Sequence, residues 1–134
     1  MYRRLLALAA LSLIAAAVFA GCGSSSKPAY CKQVSEFHSS VSALEKEEIS
    51  ITNAGSVVSA VEKVGTSAKA LGTAVKGEFA PQISAIDSSL SAVAKSVGEA
   101  TGGSLSAIKQ IPTEIDKLKQ AAAEVQQVTK TKCE

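Results

Sequence analysis

Apolar residues recur every three or four positions in four successive stretches of this chain. Tyr30, Val34, Phe37, Val41, Leu44 and Ile51 form the first stripe, interrupted where Glu48 takes an apolar slot with Ile49 beside it. Such spacing lays one face of a helix against a core and predicts a first helix from Pro28 to about Ile51. Thr52, Asn53, Ala54, Gly55 and Ser56 then make a turn-rich break. Val57, Val61, Val64, Ala68, Leu71 and Val75 give a second stripe, ended by Gly77 and by Pro81, whose fixed φ suits the first turn of a new helix. Ile83, Ile86, Leu90, Val93 and Val97 make the third, stopped by Gly102 and Gly103.

The fourth stretch carries Leu105, Ile108, Ile111, Ile115, Leu118, Ala122, Val125 and Val128 at helical spacing through Pro112. An interior proline loses a hydrogen bond and crowds the preceding turn. Thr113 followed by Asp116 resembles a capping box. The pattern predicts a short helical turn over Ser104–Gln110 and a main helix from Thr113 to about Lys130, with one kinked helix as the alternative. Four helices with short connections predict an all-α fold, an antiparallel up-and-down four-helix bundle over residues 28–134.

The cysteines test that topology. Cys31 precedes most of the first stripe and Cys133 follows the last, and a disulfide between them requires both chain ends at one end of the bundle. Four antiparallel helices satisfy this parity and three do not. Closing a loop of roughly 100 residues restricts the unfolded chain by about 4 to 5 kcal/mol in the chain-entropy model. In an exported chain an even pair such as Cys31 and Cys133 is expected to oxidise to a disulfide.

The N-terminus points to export. Met1–Arg4 is basic, Leu5–Ala20 is an uncharged run rich in Leu and Ala, and Ala20 and Gly21 precede Cys22. Residues 1–21 read as a secretory signal peptide. The run is shorter than the roughly 20 residues a spanning helix needs, and Gly23, Ser24, Ser25 and Ser26 follow at once. Ala20, Gly21 and Cys22 resemble the lipobox of bacterial lipoproteins, with Phe19 standing where Leu is usual. The resemblance implies that Cys22 carries a thioether-linked diacylglycerol, becomes the mature N-terminus and is open to N-acylation. Arg3 and Arg4 are not followed by the rest of a twin-arginine motif. Residues 22–27 then form a lipidated tether of at most roughly 20 Å. Two acyl chains give stable anchoring where one is marginal.

Composition narrows the chemistry. The chain has 134 residues, enough for one small unit, and its aromatic content is only 4%, so Val, Ala and Leu must fill the core. Two of its fourteen basic residues are Arg3 and Arg4; the remaining lysines balance the twelve acidic residues, which gives no footprint for nucleic acid. His38 is the only imidazole. As a catalytic base it would need Asp87 or Asp116 and a serine without any elbow motif, so a surface histidine is the simpler reading. It cannot hold a metal alone. Glu45, Glu47 and Glu48, with Lys46 between them, read as a solvated face. Gly65 and Gly72, and the Gly98 to Gly102 spacing, read as close intramolecular packing or helix termination.

Tyr30 and Cys31 soon after a lipobox, Ala80 and Pro81 before a mid-chain helix, and Cys133 near the last residue resemble the small, uncharacterised helical lipoproteins of actinobacteria. The absence of a tryptophan in the third helix departs from that group's pattern. The resemblance implies export, lipidation and a terminal disulfide, and it brings no activity or binding residues with it.

The expectation is therefore a lipid-anchored protein on the extracytoplasmic face of a bacterial membrane. It is expected to be non-enzymatic, with no catalytic residues, no metal and no cofactor beyond the covalent lipid on Cys22, and to act as an interaction or accessory module for an envelope protein. The alternative is a carrier holding a lipid or other apolar molecule between its helices. Parity places Gly77–Pro81 on the bilayer side, where Phe79 either touches headgroups or tucks under the bundle. The far end, with Glu48, Asn53 and Thr101, would face the partner.

Overall fold

The computed structural model describes residues 27–134. The expected signal peptide at 1–21, Cys22 and the tether as far as Ser26 lie outside the described residues. Four helices follow one another: α1 (Tyr30–Glu45), α2 (Ala54–Val75), α3 (Ala80–Thr101) and α4 (Leu105–Cys133). Among the described residues each helix packs against its neighbour in sequence, and α4 closes onto α1 without diagonal contacts. This is the antiparallel four-helix bundle that the stripes predict.

The stripes meet in one core. Phe37, Leu44, Leu71, Ile86, Ile111, Leu118, Val64, Val93 and Val125 are fully buried. Burying each such side chain is worth about 1.5 to 3 kcal/mol. Phe37 is the one aromatic ring among these, so aliphatic side chains supply most of the packing. Gly65 and Gly72 of α2 face α3, where an added Cβ would meet its neighbours at ordinary van der Waals distance. A Cβ on Gly65 would stand 3.6 Å from Leu90, and one on Gly72 would stand 3.4 Å from Ile83. Nothing lies within 4 Å of a Cβ built on Gly98, whose carbonyl instead accepts the amide of Gly102 at the end of α3.

Three boundaries depart from the sequence reading. First, α1 stops at Glu45, not near Ile51. Continuing the helix would turn Glu48 into the core, and an unpaired buried carboxylate is costly. The chain leaves the helix instead, the amides of Lys46 and Glu47 bonding the carbonyls of Ala43 and Leu44. Ile49 then packs against the core from the loop, while Ile51 is 55% exposed. Second, α2 begins at Ala54 and takes up residues expected to form the turn, with the carbonyl of Asn53 accepting the amide of Val57.

Third, α4 is a single helix through Pro112, not a short turn followed by a fresh start at Thr113. Its cap is Ser104, whose Oγ accepts the amide of Ala107 at 3.3 Å. Pro112 lies on the exposed face, while Ala107, Ile111, Ile115 and Leu118 are buried on both sides of it. Continuous burial of that face offsets the one lost backbone bond. The register differs from the expected stripe at both ends of α4. Ala107 is buried where Leu105 is 65% exposed, and Thr129 is buried where Val128 is 38% exposed. The Thr129 hydroxyl satisfies itself by donating to the Val125 carbonyl at 2.7 Å.

Candidate functional site

The parity argument places the three connections between helices, and the structure assembles them, with the start of α1 and the end of α4, into two unlike ends. At the disulfide end, Cys31 at the start of α1 bonds Cys133 at the end of α4, their Cα atoms 5.5 Å apart. The α2–α3 loop joins them there. Lys76, Gly77 and Phe79 all have positive φ, at 48°, 87° and 73°. This left-handed path is costly for Lys and Phe, and it turns the Phe79 ring back onto Tyr30, edge to face, at 5.7 Å. Phe79 thus packs against the core, the tucked alternative of the two sequence readings.

Lys132 locks the loop to α4. Its Nζ pairs with the Glu78 carboxylate and lies 5.6 Å from the centre of the Phe79 ring. The hydrogen bond to Glu78 holds the Lys132 ammonium above its ordinary pKa. Tyr30 is 6% exposed, and its hydroxyl is buried without a hydrogen-bond partner. That leaves an unsatisfied polar group beneath the Phe79 and Lys132 contacts.

The far end is built from the α1–α2 loop and the α3–α4 corner. Asn53 donates to the Glu48 carboxylate at 3.4 Å, and Ser56 donates to Glu47 at 2.6 Å. Glu48 and Asn53 are therefore brought together, as a shared surface requires. Thr101 belongs to the same end, but its hydroxyl turns back to the Gly98 carbonyl at 2.6 Å and makes no hydrogen bond to that pair. Sequence reasoning missed the apolar component here: Ile51 and Leu105, assigned to the core stripes, are exposed. Glu48 in an apolar slot is the signal that marks where the first stripe fails. Glu45 pairs with Lys119 at 2.5 Å, and this hydrogen bond raises the Lys119 pKa.

His38 is exposed in a groove between α1 and α4, alongside Ser35, Ser42, Gln126 and Lys130. Neither Asp87 nor Asp116 lines that groove, so the acids considered for a triad are not brought to it. Among the described residues, no three His, Cys, Asp or Glu side chains gather to hold a metal ion. No described helix is long and apolar enough to cross a membrane.

Fold and site define a four-helix bundle closed by a terminal disulfide, with one aromatic, cross-linked end and one polar end studded with exposed apolar side chains. Compared with protein-family models, curated proteins and solved structures, the chain finds no match.

Proposed function

We propose that this protein is an extracytoplasmic lipoprotein, anchored through acylated Cys22, whose bundle works as a non-enzymatic interaction module for an envelope partner. Three features support the reading. The N-terminal sequence has the order of a lipoprotein signal, the two remaining cysteines form a bond that oxidising compartments favour, and the far end presents apolar groups on a surface that also carries polar ones. The observation that carries the interaction module is the exposure of Ile51 at 55% and Leu105 at 65%, both at the end opposite the disulfide. Exposed apolar anchors on a surface that also carries polar groups such as Glu48, Asn53 and Thr101 are how protein interfaces are commonly composed.

The carrier alternative has no comparable support, because the grooves flanking α1 are lined largely by serine, lysine, glutamine and glutamate. Photo-crosslinking in intact cells tests the module. A crosslinker at position 51 is expected to capture one partner reproducibly, with capture lost on Asn53→Ala or Glu48→Lys and helicity unchanged. Contacts mapping mainly to Gly77 through Pro81 would contradict this arrangement.

A further inference from the structure

Charge is divided unequally between the two ends. The far end carries Glu45, Glu47, Glu48 and Glu99 against Lys46 and Lys109, whereas the disulfide end carries Lys27, Lys32, Lys76, Lys130 and Lys132 against Glu36, Glu78 and Glu134. Pairing sharpens the contrast. Lys130 meets Glu134 at 3.7 Å and Lys132 meets Glu78. Lys27 and Lys76 are exposed and enter no ion pair among the described residues. Each lies three residues before one of the two stacked rings, Tyr30 and Phe79, so the aromatic contact holds both lysines at the same end of the bundle.

We propose that this end is a second, electrostatic membrane contact, in which Lys27 and Lys76 rest on anionic phospholipid headgroups and hold the bundle upright. The proposal rests on the lipoprotein reading, which fixes what lies next to the surface. From Cys22 to Lys27 the chain spans five residues, at most roughly 18 Å when extended. The tether thus keeps the lysines near a bilayer whose attraction decays over a Debye length of about 8 Å at physiological salt. Near such a surface each lysine contributes about fivefold to binding. Phe79 serves as scaffold, not as an inserted wedge, because its ring is spent on Tyr30 and Lys132. The acidic far end is repelled by the same surface, which favours one orientation over its reverse.

The chain has no tryptophan, so single reporters can be placed cleanly. The mature lipidated protein would carry A80W beside the loop or I51W at the far end. It would be reconstituted in phosphatidylcholine vesicles containing brominated lipid, with or without about 30% phosphatidylglycerol. On phosphatidylglycerol vesicles the A80W indole is expected to be quenched and the I51W indole is not. The A80W quenching is expected to fall at about 1 M salt, where screening is nearly complete. K27Q with K76Q is expected to shift the equilibrium constant between docked and undocked bundle by about 30-fold, with unchanged circular dichroism. Equal A80W quenching with and without phosphatidylglycerol, or insensitivity to the two lysine substitutions, overturns the proposal while leaving lipidation intact. A membrane-extracted chain whose mass lacks diacylglycerol overturns the lipoprotein reading and this proposal with it.

Discussion

At the disulfide end, Tyr30 stacks on Phe79, Lys132 spans Glu78 and the same ring, and Cys31 is bonded to Cys133. At the far end, the chain turns through residues 46–53 and a Gly102–Gly103 corner, held by side-chain hydrogen bonds among exposed polar groups. The ends also differ in how completely they are walled. Glu45, the last residue of α1, meets Lys119, so Leu105–Leu118 of α4 extends past the contact that ends α1. A loop with Ile49 takes over from the missing helical turns. One end is thus stabilised covalently and by aromatic packing. The other rests on small aliphatic residues and leaves Ile51 and Leu105 in water. On the proposed reading as a lipid-anchored interaction module, that division would give rigidity beside the tether and accessible apolar surface toward a partner.

The largest expected effect comes from removing the covalent link. Cys31→Ser with Cys133→Ser is expected to cost about 2 to 5 kcal/mol of unfolding free energy in chemical denaturation. Hydrogen exchange in the double variant is expected to accelerate first in the opening turns of α1 and the last turns of α4, which would bring the disulfide end toward the behaviour of the far end. A loss below 1 kcal/mol would show that the aromatic cluster alone holds that end.

The next effect sharpens the far half. Pro112→Ala restores the amide that can bond the Ile108 carbonyl and is expected to stabilise the protein by about 1 to 3 kcal/mol, read as a raised denaturation midpoint. Destabilisation would mean that the proline sets a bend the α3–α4 packing requires.

The smallest concerns the orphan hydroxyl. Tyr30→Phe removes a buried group that has no partner while keeping the ring on Phe79, so stability is expected to stay within about 0.5 kcal/mol or to rise. A loss above about 1 kcal/mol would reveal a hydrogen bond formed by Tyr30 in solution.

Where the sequence was legible, and where it was not, follows from what decides each element. The second and third stripes and the Gly77–Pro81 break are local facts: Val64, Leu71, Ile86 and Val93 sit at helical spacing and are buried. Disulfide parity then fixes the topology, because only an even number of helices brings Cys31 to Cys133. The first and last helices depart from the pattern where tertiary burial overrides local rules, α4 taking the single-helix alternative through Pro112. A proline and a capping-like Thr113–Asp116 pair argue for a break, yet one continuous buried face carries α4 through it. Ile51 and Leu105 match the period but lie beyond the point where other helices can cover them. Of the candidate site, the pairing of Glu48 with Asn53 was visible as two polar residues at one end. The Lys76 and Phe79 backbone and the Lys132 bridge were not, because they depend on a left-handed turn that no residue pattern announces.

One intact-mass measurement reads both the proposed lipidation of Cys22 and the Cys31–Cys133 bond. Protein extracted from the membrane fraction of a bacterial host, kept under non-reducing conditions, is expected to have the mass of residues 22–134 plus diacylglycerol, with or without a further acyl chain, less the two hydrogens of the Cys31–Cys133 bond. A chain that retains Met1, carries no lipid and holds three free thiols would contradict the account at its centre.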